Sequence, residues 1–205
     1  MKKIILSVAA VFAFGFANAQ ETETKTFGFN EGDIFVEGNL LYNSTNDKNT
    51  EEKTNSFQFN PKAGYMVTGD LAVGIELGIG SGKTEVDGEE VSKETNFSAG
   101  VFARYYFLPL GERFKPYAEV GAGFRSDKLE EGGFEGKGKG FGIGLDLGIN
   151  YFVTENIAIN FGLANVIGYN SYKVEDAEAV NSFNLSANIF NNFFDTPTFG
   201  LTYKF

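Results

Sequence analysis

Apolar residues recur at every second position along almost the whole chain after residue 33. In LAVGIELGIG at 71–80, Leu71, Val73, Ile75, Leu77 and Ile79 alternate with alanine, glycine and glutamate. Successive side chains of a β-strand point to opposite faces, so this period predicts strands with one apolar and one polar face. Seven such segments occur, at 33–43, 56–66, 71–80, 96–107, 114–125, 141–151 and 157–164.

An eighth segment alternates from Phe183, is interrupted by NNFFDTPT at 191–198 and resumes at Phe199. We interpret it as one long strand with a bulged or bent middle at about Asn191 to Pro197, because a count of nine strands would put the chain ends on opposite sides of the sheet. Short links near Gly69, Gly111 and Thr154 alternate with long polar connections at 44–55, 81–95, 126–137 and 170–181.

Long connections at one end and tight turns at the other are typical of an up-and-down barrel. The predicted strands also have about the 9 to 11 residues that a tilted strand needs to cross a membrane. The predicted fold class is therefore all-β, an eight-stranded antiparallel up-and-down transmembrane β-barrel. The alternative is a secreted β-sandwich or a lipocalin-like soluble barrel, which would turn its apolar faces inward.

The first 19 residues have the features of a secretory signal peptide. Two lysines precede an apolar run at 4–16, and the triplet ANA at 17–19 provides a small-residue cleavage site. We therefore predict a cleaved leader at 1–19 and a barrel domain at 20–205. The chain has no cysteine and hence no disulfide, and its formal net charge of −10 argues against nucleic acid as a partner.

The polar faces of the predicted strands carry charges of both signs, whereas the apolar faces of the first seven strands have none in their cores. A basic residue facing lipid at the bilayer midplane would cost about 2 to 4 kcal/mol, so the charged faces are expected to line the lumen. Eight strands leave an interior that side chains can fill, and charges buried there need partners. We predict a lumen charge network of four acids and four bases: Glu37, Lys62, Glu76, Arg104, Lys115, Glu119, Arg125 and Asp146.

Aromatic residues near the strand ends predict two interfacial girdles. One comprises Tyr42, Phe124, Phe141 and Tyr169, and the other Tyr65, Tyr105, Phe107, Tyr151 and Phe205. One residue argues against a closed barrel, because Pro61 stands in mid-strand and cannot donate to a ladder. We expect a local bulge or a missing hydrogen bond there.

The composition leaves few routes to catalysis. Histidine and cysteine are both absent, which excludes His-dependent triads, Cys nucleophiles and His/Cys metal sites. Glu76 with Glu119 or Asp146 could in principle perform acid–base chemistry, and we interpret these carboxylates as partners in lumen ion pairs. No catalytic residue, cofactor or metal site is predicted.

Two glycine-rich stretches match nucleotide-binding motifs only in part. In GSGKT at 80–84, Leu77 occupies the position where a phosphate-binding loop needs its first glycine, and in GKGKGFGIGLDLG at 136–148, Ile143 stands where a dinucleotide fingerprint needs one. The first is predicted to begin a loop and the second to supply small lumen-facing residues. The acidic stretches EVDGEEVSKE and KVEDAEA are predicted to be solvated loops that repel anionic lipopolysaccharide rather than cation sites.

Four segments carry a resemblance to a known family: FNPKAGYMVTGDLAVGIELGIG, FARYYFLPLGERFKPYAEVGAGF, GLDLGINYFVTENIAI and the closing FGLTYKF. They resemble the small outer-membrane β-barrel domain proteins of gram-negative bacteria, of the opacity-protein-like kind. The resemblance implies export through the secretory pathway, an outer-membrane location with both termini in the periplasm, and insertion by periplasmic chaperones and the barrel assembly machinery. Leu201, Tyr203 and Phe205 match the positions of the C-terminal signal that this machinery reads.

The predicted function is that of a non-enzymatic outer-membrane barrel with a side-chain-filled lumen, which displays its extracellular loops. Two alternatives are a small porin-like channel and a loop-mediated adhesin or ligand-binding protein. The expected surroundings are outer-membrane lipid and lipopolysaccharide, and the barrel is expected to be a monomer.

Overall fold

Antiparallel β-strands build the fold in the computed structural model, which describes residues 27–108, 110–186 and 198–205. Their bounds are β1 (Ile34–Asp47), β2 (Glu52–Met66), β3 (Leu71–Val86), β4 (Glu89–Tyr106), β5 (Phe114–Glu131), β6 (Phe134–Phe152), β7 (Ile157–Val174), β8 (Val180–Leu185) and β9 (Thr198–Lys204). Within these ranges no helix is long and apolar enough to cross a membrane.

The sheet closes on itself because β9 pairs with both β7 and β1. Strands β1 to β7 pair in sequence order, and four residue pairs, from Phe35–Lys204 to Gly38–Leu201, join β1 to β9. Strand β8 pairs with residues 167–172 of β7, and β9 pairs with residues 157–162 of the same strand. The two pieces therefore share one strand position, and the prediction of an eight-stranded barrel is confirmed. The predicted bend from Asn191 to Pro197 lies outside the described residues.

The predicted long loops are wrong over most of their length, because the strands continue through them. Strands β1 to β7 are 14 to 19 residues long, well beyond the predicted length. Asp87-Gly88 and Gly132-Gly133 are two-residue turns in which both residues have positive φ, from 53° to 85°. Asp-Gly and Gly-Gly are the dipeptides that such tight hairpins favour, because glycine adopts positive φ without strain. We call this side of the barrel the hairpin end and the opposite side the turn end.

The strand pairing is irregular at two places, one at Pro61 in β2 and the other in β7. The β2–β3 pairing omits Asn60 and Pro61 and resumes in the same register, which fits the missing bond expected at that proline. In β7, two register shifts against β6 bring Asn165 opposite Asp146. These bulges set which residue of β7 faces the polar side of β6.

The apolar faces point out of the barrel. Val101, Ile75 and Val120 expose 59%, 56% and 48% of their surface, whereas Arg104 is fully buried and Glu119 is exposed by only 4%. Charged residues in the middle and apolar residues outside are the reverse of a soluble barrel. The alternative of a lipocalin-like fold is therefore wrong, and the outer wall suits lipid.

Candidate functional site

Arg104 on β4 lies at the centre of the lumen between two carboxylates. Its Nη1 and Nη2 donate to Oε2 and Oε1 of Glu37 on β1 over 2.8 and 3.0 Å, and its Nε donates to Oε2 of Glu119 on β5 over 2.7 Å. The fork of the guanidinium matches the carboxylate of Glu37 in a bidentate pair. A fully buried cation is thereby satisfied from both sides.

Lys62 and Glu76 extend this pairing around the barrel. The ammonium group of Lys62 on β2 donates to Glu119 and lies 3.0 Å from Oε2 of Glu76 on β3. We call Glu37, Lys62, Glu76, Arg104 and Glu119 the central network.

Neutral polar groups complete the ring on the other side of the lumen. The hydroxyl of Thr202 on β9 donates to Oε2 of Glu37 over 3.1 Å, and it accepts from Asn150 on β6 and Asn160 on β7 over 3.3 and 3.4 Å. Strands β1 to β7 and β9 thus each place one side chain in a continuous layer across the lumen.

Aromatic rings pack against this layer, chiefly towards the turn end. The guanidinium carbon of Arg104 lies 4.0 Å from the ring centre of Tyr117 and 5.5 Å from those of Phe35 and Phe102. Phe29, in the segment before β1, contacts the rings of Phe35, Tyr106 and Phe152 at 4.9 to 5.3 Å between centres. We call Phe29, Phe35, Phe102, Tyr106 and Tyr117 the aromatic layer.

Glycines on neighbouring strands leave the space that these rings fill. A Cβ atom on Gly64 would overlap the ring of Phe35, and one on Gly148 would overlap Tyr117. The sequence interpretation gave the aromatic layer no role. A signal was present, because Phe102, Tyr106 and Tyr117 have the same phase as the charged residues of their strands.

Three residues of the predicted lumen network lie outside the central network. Lys115 lies near Gly28 at the turn end, four residues along β5 from Glu119 and roughly 13 Å away. Arg125 lies at the hairpin end, where it pairs with Asp127 at 2.7 Å and Glu94 at 3.9 Å. Neither Lys115 nor Arg125 forms an ion pair with the central network among the described residues, because alternation gives the face of a residue but not its height.

Asp146 is the third. It is the cross-strand neighbour of Glu119, yet its side chain accepts a hydrogen bond from Asn165 over 2.8 Å and has no basic partner within 4 Å among the described residues.

The hairpin half of the lumen holds an open cavity of about 740 Å³. Glycines line much of its wall, and its polar groups include Glu76, Arg125, Asp127, Asp146 and Asn165. The described residues contain no group of three or more carboxylates arranged to hold a metal ion. The lumen is therefore open at the hairpin end and filled by the central network and the aromatic layer towards the turn end.

The C-terminal residues lie on the outer wall at the turn end. Leu201 is 57% exposed, and the rings of Tyr203 and Phe205 contact each other with centres 4.8 Å apart. The backbone N–H of Phe205 donates to the carbonyl of Ile34 over 2.9 Å. The side chains that match the assembly signal thus face away from the lumen.

Comparison with known proteins gives this barrel its family. Residues 6–205 match the family described as outer membrane protein beta-barrel domain. The chain belongs to that family. The resemblance stated from the sequence is confirmed, as is the location of this barrel domain in the outer membrane of a gram-negative cell envelope. A search of curated proteins gives no match.

Solved structures of similar fold include two bacterial outer-membrane barrels. OprG from Pseudomonas aeruginosa is 15% identical, with a TM-score of 0.53 over 87% of this chain and 98% of that one. Neisserial surface protein A is 20% identical, with a TM-score of 0.47 over 85% of this chain and 100% of that one. The likeness to OprG supports the barrel fold.

The central network is expected to dominate the stability of this barrel. Glu119→Ala should lower the free energy of unfolding by about 3 to 5 kcal/mol, because Arg104 and Lys62 lose a carboxylate that they share inside the lumen. The measurement is urea unfolding in lipid vesicles, followed by the gel mobility of unheated samples.

Arg125→Ala is the matched control. Its side chain is 57% exposed, so the loss of its ion pairs should cost less than about 1 kcal/mol. An equal loss in both variants would contradict a buried, mutually dependent network.

Proposed function

We propose that this outer-membrane barrel is a non-conducting, non-enzymatic anchor that displays its hairpins on the cell surface. The observation that carries the proposal is the filled turn half of the lumen. A solute would have to pass the layer around Arg104, which is fully buried, and then the aromatic layer. Moving the layer around Arg104 aside would leave buried charges without partners, at a cost of several kcal/mol.

The lumen carboxylates support an electrostatic role better than a catalytic one. Glu37 and Glu119 both bind Arg104, and Glu76 binds Lys62. Each of these carboxylates is held by a fixed cation and is therefore not free to contact a substrate. Together with the absence of histidine and cysteine, this supports a protein without enzymatic activity.

The hairpins are suited to display because they are continuous with the barrel wall. Beyond Ile79, β3 continues for seven residues to Val86, roughly 23 Å along the strand, before its two-residue turn. Paired strands keep a fixed shape, whereas long unstructured loops would have to be ordered when a partner binds. An adhesin or ligand-binding role would act through these hairpins.

Purified protein is expected to show no sustained conductance in planar lipid bilayers. The variant Phe102→Ala/Tyr117→Ala removes two rings of the aromatic layer but leaves the layer around Arg104 in place, so it too should show no sustained conductance if it retains the mobility of folded protein on unheated gels. Sustained, reproducible current from the unaltered protein would overturn the anchor in favour of the porin-like channel.

Display is tested by a short epitope inserted between Gly132 and Gly133, with the same epitope at Gly111 as control. Antibody should label intact cells carrying the first insertion, whereas the second should be labelled only after the outer membrane is permeabilised. The reverse pattern would place the hairpins in the periplasm.

We also propose that Phe205 acts in assembly through the barrel assembly machinery. Phe205→Ala keeps the backbone hydrogen bond to Ile34 and removes only the outward-facing ring. The amount of folded barrel in cells should fall several-fold while refolding in detergent stays unchanged. Phe199→Ala removes another exposed ring of β9 as the control. Equal losses in cells and in detergent would make Phe205 a structural residue only.

A further inference from the structure

Outward-facing residues above the membrane-spanning part of the barrel follow a repeated order from strand to strand. The order begins with a row of six exposed apolar residues, five of them aromatic, one on each of β2 to β7. We call this the outer aromatic row: Phe57, Ile79, Phe97, Phe124, Phe141 and Tyr169. Aromatic residues in such a row lie at the headgroup level of a bilayer.

A lysine stands four residues further towards the hairpin end on each of these six strands. We call this the lysine row: Lys53, Lys83, Lys93, Lys128, Lys137 and Lys173. An even spacing on a strand keeps the same face, so these lysines point outward like the aromatic residues below them. The position between the two rows holds a serine, threonine or asparagine on five strands and another lysine, Lys139, on β6.

The strand register places the two rows parallel to each other around the barrel. Phe97 is the cross-strand partner of Ile79, and Lys93 is the partner of Lys83. Phe124 pairs with Phe141, and Lys128 pairs with Lys137. At the β2–β3, β4–β5 and β6–β7 pairings, neighbouring members of each row are offset by two residues, and the offset has the same direction in both rows. A row needs such an offset to stay at one height on tilted strands.

The height of the lysine row fits a layer of phosphates. Four residues span roughly 13 Å along a strand, which is roughly 10 Å along the membrane normal at a tilt of about 40°. Lysine bends its flexible stem so that its ammonium reaches the polar layer of a membrane. The ammonium groups can therefore reach the region just outside the outer aromatic row.

Glutamates occupy the positions beyond the lysine row and form ion pairs with part of it. Lys83 lies 2.7 Å from Glu85 and 3.0 Å from Glu90, and Lys128 has the same distances to Glu130 and Glu135. Hydrogen bonds that Lys83 donates to Glu85 and Glu90 raise the pKa of its ammonium, which therefore stays charged.

The carboxylates lie on the side of the lysines that faces away from the membrane. Lys53, Lys93 and Lys173 form no ion pair within 4 Å with the carboxylates of residues 27–108, 110–186 and 198–205. In a chain with a net charge of −10, six of the fourteen lysines are thus gathered on one level of the outer wall, and Lys139 lies two residues below them. Exposed pairs with the glutamates contribute little energy and leave the lysines able to bind another anion.

We propose that the lysine row binds the phosphate groups of a phosphorylated lipid in the outer leaflet, of the lipopolysaccharide kind. Charge-assisted hydrogen bonds from the ammonium groups hold the phosphates, and the outer aromatic row packs against the sugar and acyl portion below. The negative charges of the glutamates beyond the row confine the positive electrostatic potential of the lysines to the headgroup level. The proposal depends on the hairpins facing outward, which the epitope insertions test separately.

The test is a titration of the folded protein in detergent micelles with diphosphorylated lipid A. Dephosphorylated lipid A has the same acyl chains and serves as the matched ligand. The unaltered protein is expected to bind the phosphorylated lipid at least tenfold more tightly. The variant Lys53→Gln/Lys93→Gln/Lys173→Gln should bind the phosphorylated lipid more weakly by about fivefold per lysine, while its binding of the dephosphorylated lipid stays unchanged.

Lys48→Gln removes a lysine of the hairpin end that lies in the β1–β2 turn outside the row, and it should leave the preference unchanged. If the triple variant does not fold, Lys93→Gln alone is compared with Lys48→Gln. Equal binding of the two lipids, or an unchanged preference in the folded variants, would overturn the proposal. So would inorganic phosphate that displaces the lipid at low millimolar concentration, because the site would then recognise free phosphate.

Discussion

The paired charge of Arg104 constrains the rest of this barrel. An arginine cannot lose its proton in a protein, so a guanidinium in the lumen must be met by fixed acceptors. Glu37 and Glu119 supply them from two strands that are not neighbours, and Lys62 ties Glu119 to Glu76. The pairs also fix the register, because a slip by one residue would turn every charge of a strand towards lipid. Closure of the sheet and charge pairing in its centre therefore support each other.

The lumen is filled near the turn end and open near the hairpin end because its large inward-facing side chains lie near the turn end. Near Arg104 those positions hold Phe35, Tyr106 and Tyr117, and glycines opposite them make room for the rings. Higher in the barrel, the lumen-facing positions of β5 and β6 are mainly glycines, and although the ring of Tyr172 packs beside Gly138 and Gly140, space remains. The same residue type thus permits tight packing at one height and leaves a cavity at another.

The sequence predicts the fold and the two faces well because lipid and a narrow lumen impose opposite demands on alternate residues. The sequence predicts loops in place of the hairpins because outside the membrane both faces meet water, and polar residues on both faces remove the period-two signal. Asp87-Gly88 and Gly132-Gly133 carried the remaining information. For the central network, alternation gave the correct face of all its members but no height. The predicted network therefore includes Lys115 and Arg125, which lie roughly 13 to 20 Å along β5 from Glu119.

Charged residues are arranged differently on the inner and outer faces of the barrel wall, and this difference reflects the different environments of the two faces. In the central network of the lumen, three acids and two bases lie at the same height and pair with each other, as burial requires. On the outer wall at the hairpin end, Lys83 and Lys128 lie nearer the membrane than the glutamates that pair with them. Neutralisation alone would not require that order on both hairpins, since water solvates either arrangement. The repeated order of an exposed apolar residue, in most strands a small polar residue, and then a lysine suits an environment that changes from acyl chains to phosphates to water over the same distance.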